Sequence, residues 1–307
     1  MPDLLSHFGA GYLVSRWSVR RSDVALILGG SLLPDVGWIA RRALHGLFST
    51  DSIALSVWLI PWHTPWVLLL GCATLALICR TPVRAFSILY GVSWVHLLLD
   101  ASQTRFGNGV LFLYPLSMRE TSWHLFWPES PVNHALAIGS FILLLGLLFG
   151  LVDGPLTVGW APSRASEGGQ PSRRRRLFLS LIFVLAAVAT VSLTRARLVE
   201  ENVFNLRFVT DPSAFEGRRI ALDRSLVVGD APPRLRTFNG RQFLLTGDLD
   251  VNPGDTISLE GTYGGGRIAV QRYHKHQEEL RSLYSLVGLT MYGGLEVARR
   301  IAAKWKI

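Results

Sequence analysis

Charge is scarce in this chain. Of its 307 residues only 17% are charged, whereas an average soluble domain carries about 25%. Acidic residues are the scarcer kind, 22 against 31 basic ones, which leaves a net charge of +9. Cysteine is nearly absent, with Cys72 and Cys79 the only two. On one helix their Cα atoms would stand about 10 Å apart, too far for a disulfide, so cysteine says nothing about the compartment. The nucleotide-binding patterns G-x-x-x-x-G-K-[ST] and G-x-G-x-x-G before a helix are missing, as is the G-x-S-x-G elbow of serine hydrolases. The opening residues, Met1-Pro2-Asp3-Leu4-Leu5-Ser6-His7, lack a basic start, and no cleaved signal is expected. Together these absences exclude a disordered chain, a fibrous repeat and an ordinary soluble enzyme.

What remains is apolar. Hydrophobic residues make up 49% of the chain and the mean hydropathy is +0.31, values that suit several membrane spans with some water-exposed mass. Apolar runs at 3–17, 23–40, 54–79, 85–101, 134–152 and 177–194 predict the spans. Leu33-Pro34-Asp35 interrupts the second run, where proline bends or breaks a helix. The run 54–79 reads as the clearest span, with Pro61-Trp62-His63-Thr64-Pro65 near its start.

Arginine supplies most of the positive charge, and it lies between the runs: Arg80-Thr81-Pro82-Val83-Arg84, then the Gly-, Ser- and Pro-rich segment 153–176 ending in Arg173-Arg174-Arg175-Arg176. Such loops stay in the cytoplasm, so the +9 is read as topology and no nucleic-acid partner is expected. Arg16, Arg20 and Arg21 join that side; Arg41 with Arg42, and Arg195 with Arg197, fall on the other. The expected location is the cytoplasmic (inner) membrane, multi-pass, with the polar loop 102–132 and the C-terminal module on the outer side. The bilayer is the expected partner.

The pattern changes near Arg195. Short β-branched and aromatic runs at 203–209, 218–222, 225–228, 234–238, 241–248, 256–261 and 267–273 alternate with turn signals, and Asn239-Gly240 is a strong hairpin signal. The expected fold is therefore mainly α: a transmembrane helical bundle over 1–195, a small all-β, OB-like module over 199–275, and an amphipathic or membrane helix over 277–307. His274-Lys275-His276 reads as a solvated strand end.

Within so apolar a chain, ionisable residues inside the runs are the informative ones, because such groups are costly at membrane depth. There are five: His7, Asp35, His63, His96 and Asp100. His96 and Asp100 are four apart and share a helix face. Measured along ideal helices from the nearest basic cluster, His63 stands about 25 Å up, His96 about 18 Å, Asp100 about 24 Å, Asp35 about 21 Å and His7 about 14 Å. All five fit the outer half of the bundle. Trp38, Trp58, Trp62, Trp66, Trp123 and Trp127 fall near the same level, as an interfacial aromatic belt does.

Three histidines and two carboxylates are an N/O ligand set, for which zinc is the first expectation and manganese or iron the alternatives. His124, Glu129 and His134 are spare candidates in the outer loop. Two functions fit this pattern: a metal-dependent hydrolase with Asp100 as ligand or base, or a non-catalytic membrane protein whose polar cluster is structural and whose β module binds an envelope partner.

The ordered motifs His7-Phe8-Gly9-Ala10-Gly11-Tyr12, Leu33-Pro34-Asp35, Trp62-His63-Thr64-Pro65, His96-Leu97-Leu98-Leu99-Asp100 and Leu113-Tyr114-Pro115 resemble those of the predicted membrane-bound metal-dependent hydrolases, the YdjM-like inner-membrane group. The likeness covers about residues 1–120. Gly37 and Trp38 stand where that group often has a second Asp and a His. The order of ligands is also similar to zinc-dependent phospholipases C. The resemblance implies phosphoester or ester hydrolysis on a lipid-like substrate.

Overall fold

Prolines mark where several helices begin. Pro65, Pro82 and Pro131 open α5 (Pro65–Ile78), α6 (Pro82–Ser102) and α7 (Pro131–Leu148), the position where a missing N–H costs nothing. The other helices of the N-terminal part are α1 (Leu4–Ser15), α2 (Val24–Leu32), α3 (Val36–Phe48), α4 (Ser52–Leu59) and α8 (Arg173–Glu200). The computed structural model describes residues 4–15, 23–48, 52–79, 81–148, 173–230, 232–277, 283–288, 290–291 and 293–294. Among these, three helices are long and apolar enough to cross a membrane, Val24–Arg41, Pro82–Ser102 and Arg174–Glu200, and four if a bent pair counts as one span.

That bent pair is the run 54–79, read from the sequence as one span. Ile53–His63 and Pro65–Ile78 meet at 73°. Thr64 between them is extended (φ −131°, ψ 148°). Pro65 disfavours helical backbone at the residue before it. The Thr64 hydroxyl donates to Pro61 O at 2.6 Å and accepts from Val67 N–H, capping α5. At Leu33-Pro34-Asp35 the chain instead tightens into one 3-10 turn and continues as α3. α8 is the least buried of the three candidate spans, with Phe178, Leu181, Leu185 and Leu193 exposed.

α2 and α6 lie unusually close. A Cβ on Gly30 would sit 2.8 Å from Leu89 O, so only glycine permits the approach. Ser93 then donates across it to Gly30 O at 3.0 Å.

The C-terminal part is a closed five-stranded barrel of order β1-β2-β3-β5-β4. The strands are β1 (Arg219–Asp230), β2 (Pro233–Arg236), β3 (Gln242–Thr246), β4 (Thr256–Gly264) and β5 (Arg267–Lys275). All pairs are antiparallel except β3 with β5. This is the OB-like module expected from the sequence, including the hairpin at Asn239-Gly240, where Gly240 takes φ +85°. Two predicted strands fuse into β1 across a bulge at Arg224, which has φ +46°.

The predicted strand 203–209 is helical instead: a 3-10 turn at Val203–Asn205 leads into α9 (Leu206–Thr210). Asn202 and Asn205 take left-handed backbone, and Asn202 Oδ1 accepts from Phe208 N–H at 2.8 Å. α9 drives Phe208 into the barrel core against Phe243 and Tyr263.

The two ends of the bundle differ. At one, Arg84 pairs with Asp23 and Arg176 donates to Cys79 O. At the other, Asn205 Nδ2 donates to Gly107 O at 3.1 Å and Ala221 O at 2.7 Å, tying the segment after α6 to the barrel. Most of segment 153–176, the first basic cluster and most of the tail 277–307 lie outside the described residues; of the tail, 283–288 is helical, and Tyr284 and Val287 pack against the α1–α7 core.

Candidate metal centre

The five polar residues singled out in the apolar runs converge. Each sits where its local sequence places it: His7 in the second turn of α1, Asp35 in the 3-10 turn made by Pro34, His63 just before the break at Thr64, and His96 and Asp100 one turn apart on α6. None is more than 5% exposed. His63 Nε2 lies 2.8 Å from Asp100 Oδ2 and 4.0 Å from Asp35 Oδ1. His96 Nε2 lies 3.5 Å from Asp35 Oδ1 and 3.8 Å from Asp100 Oδ2. His7 Nε2 lies 3.4 Å from Asp100 Oδ1. The His7 and His96 rings stack at 3.5 Å.

These atoms face one another without hydrogen-bonding. His7 Nε2, His63 Nε2, His96 Nε2, Asp35 Oδ1 and Asp100 Oδ2 are buried and lack a hydrogen-bond partner, and Asp100 Oδ1 has only the ion pair with Arg105. His96 is held in place by the backbone. Its Nδ1 is 2.8 Å from Ser31 O, and a carbonyl only accepts, so Nδ1 carries a proton and, in a neutral ring, Nε2 keeps a lone pair. A carbonyl that fixes the tautomer of a ligating histidine is a recurrent support for metal sites. Five unpartnered ligand atoms in one buried spot, with Asp100 Oδ1 beside them, fit a cation.

Arg105 was not foreseen. Just past the end of α6, it brings Nη2 to 2.9 Å from Asp100 Oδ1 and also bonds Gln103. No residue spacing signals this, because the chain leaves the helix between the two. Arg105 also lines a cavity of about 370 Å³ between the bundle and the barrel, with Trp38, Arg41, Asp223, Arg224 and Phe238. Arg41 stacks over the Trp38 and Phe238 rings. Arg41 and Arg197, which the sequence reading sets apart from the other basic clusters, both have local work: Arg41 at the cavity, Arg197 bonding Glu201 and Pro115 O.

Gly37 explains one departure from the resemblance. A Cβ there would meet Leu59 O at 2.7 Å, so a second carboxylate has no room beside Asp35 in this packing.

The spare candidates separate. His124 is exposed, and His134 contacts the Tyr284 hydroxyl at 3.2 Å. Glu129 meets the barrel: His276 Nδ1 is 2.8 Å from its Oε1, His274 Nε2 3.4 Å from its Oε2, and Arg224 Nη2 3.1 Å from its Oε1. His274-Lys275-His276 is thus no solvated strand end, since His276 is buried. The available signal was the H-x-H spacing, which puts both rings on one face of a strand. Trp127 likewise leaves the aromatic belt to stack on His274 at 3.7 Å, whereas Trp58, Trp62, Trp66 and Trp123 stay exposed. Burial alone would raise the Glu129 carboxyl, but the two histidines and Arg224 hold it well below the usual range. Asp223, half-buried, is held down by Arg224, Ser258 and Arg105. Burial pushes Glu120 up to about 7, against the Phe204 N–H it accepts.

Three groups of described residues could therefore hold a metal ion: His7, His96 and Asp100; Asp35, His63 and His96; and Glu129, His274 and His276. The first two share His96 and form one centre. No family model, curated protein or solved structure matches the chain.

Proposed function

We propose that the chain is an integral-membrane, metal-dependent hydrolase that cleaves a phosphoester or other ester of a lipid-like substrate at the outer membrane interface. The observation that carries this reading is the convergence of unsatisfied ligand atoms from His7, Asp35, His63, His96 and Asp100. With neutral histidines, Asp35, Asp100 and Arg105 sum to −1 in a buried apolar setting, an expensive state that a divalent cation reverses.

His7, Asp35, His63 and His96 hold the metal, zinc by donor set, and Asp100 is a further ligand or the general base. A metal of this kind supplies an acidified water near neutral pH. Ser31 O keeps the His96 lone pair turned inward, and Arg105 keeps the Asp100 carboxylate oriented. Arg41, Arg105 and Arg224 line the adjoining cavity beside Asp223, and these guanidinium groups are the ones that would meet an anionic headgroup there. The ordered motifs that resemble membrane-bound hydrolases point the same way.

The test is purified full-length protein in detergent, loaded with zinc and given bis(p-nitrophenyl) phosphate or phosphatidylglycerol micelles. Hydrolysis is expected in the wild type and absent in His63→Ala and His96→Ala. A wild type without stoichiometric transition metal, beside both variants folding normally, overturns the reading.

A further inference from the structure

The contact between Glu129 and the end of β5 poses a proton-counting problem. Ser258 Oγ donates to Asp223 Oδ1 at 2.6 Å, and Asp223 Oδ2 accepts from Asn108 Nδ2 at 3.0 Å. Ser258 has one proton and has given it away. Toward His276 Nε2, 2.7 Å distant, it is therefore an acceptor, and the His276 proton sits on Nε2. In a neutral ring His276 Nδ1 then bears a lone pair, 2.8 Å from Glu129 Oε1. That contact needs a positive centre between the two atoms, either a second ring proton or a bound cation.

Other groups are arranged around the same point. His274 Nε2 approaches the second Glu129 oxygen, with its ring plane held 7° from that of Trp127. The three ligand atoms lie within 4.8 Å of one another. The β1 bulge aims Arg224 at Glu129 from the side and turns its N–H onto Ser258, as bulges beside functional sites do. We propose that Glu129, His274 and His276 form a second, independent site for a divalent transition-metal cation, which ties the segment before α7 to the end of β5.

Two histidines and one glutamate suit zinc with one position left for water. The Ser258–Asp223 pair orients His276 as the Ser31 carbonyl orients His96 in the bundle. The ion crosses from residue 129 to residues 274 and 276, so it clamps barrel to bundle.

The experiment is metal analysis of purified full-length protein equilibrated with zinc and freed of excess, with circular dichroism to confirm folding. Two zinc ions per chain are expected in the wild type. Glu129→Gln and His274→Ala each lose one, while His63→Ala with His96→Ala loses only the other. His274→Ala leaves the Ser258–His276–Glu129 contacts in place, so it separates ligand loss from misfolding. Zinc content unchanged from wild type in both Glu129→Gln and His274→Ala overturns the proposal. So does a single zinc that disappears with His63 and His96, which leaves the hydrolase reading intact. A single zinc that disappears with Glu129 does the reverse. An imidazolium–carboxylate latch without metal would show as a fall in thermal midpoint for Glu129→Gln that EDTA does not alter, with no change in zinc; that result also overturns the proposal.

Discussion

Arg105 places its Nη2 2.9 Å from Asp100 Oδ1, and both side chains are buried. Removing one partner of such a pair strands the other charge, at a cost of about 3–5 kcal/mol. Arg105→Met, which leaves the buried set at −2, is therefore expected to destabilise the metal-free protein by about that much, and Asp100→Asn with Arg105→Met, which restores the net −1, to recover most of it. Thermal unfolding in detergent with EDTA present measures both. Equal loss in the single and double variants would mean the pair carries no coupling.

Gly37 makes a second prediction. Its Cβ-free backbone lies against Leu59 O, next to the turn that carries His63. Gly37→Ala must push that turn away, costing about 1–3 kcal/mol, as overpacking does. It is also expected to weaken zinc binding. Gly139→Ala is the control, since nothing lies within 4 Å of its Cβ position; there a helical Ala is expected to stabilise by about 0.4–1 kcal/mol.

Glu120 predicts a pH dependence. Burial raises its carboxyl from 4.5 to about 7, so between those values the folded chain keeps a proton that the unfolded chain releases. Stability from this residue is then full below about pH 4.5, falls as pH rises to about 7, and is flat beyond. Glu120→Gln keeps a carbonyl for Phe204 N–H and is expected to flatten the wild-type slope of thermal midpoint over pH 4.5–7. An unchanged slope assigns it to other groups.

The proposed outward barrel is testable by labelling. Asp248 is exposed at the barrel, and Val83 is 82% exposed at the opposite end of the bundle. In intact cells a membrane-impermeant maleimide is expected to label Asp248→Cys, and Val83→Cys only after permeabilisation. Native Cys72 and Cys79 are buried and give a low background. The reverse pattern would turn the molecule over.

Composition and periodicity were enough to read a mainly helical part with long apolar runs, a small all-β, OB-like module after it, and five polar residues worth attention. The physical reason is that each of these is a local signal. Burial in lipid needs long apolar runs, strands alternate between turn residues, and a His or Asp inside an apolar run has to be explained by a partner. What local signals could not give was which residues meet. Thr64 bends the chain by 73° because two prolines and a cap agree, and that bend turns His63 toward Asp100. Residues 203–209 have strand-like composition but become a helix, because two left-handed asparagines and the open barrel end outweigh propensity. Arg105 reaches Asp100 only after the chain has left α6, and Glu129 finds His274 and His276 across some 145 residues. The low charged fraction picked out the polar residues of the bundle one by one; packing of distant elements made one centre of them, and set a second His–carboxylate cluster where the barrel meets the bundle.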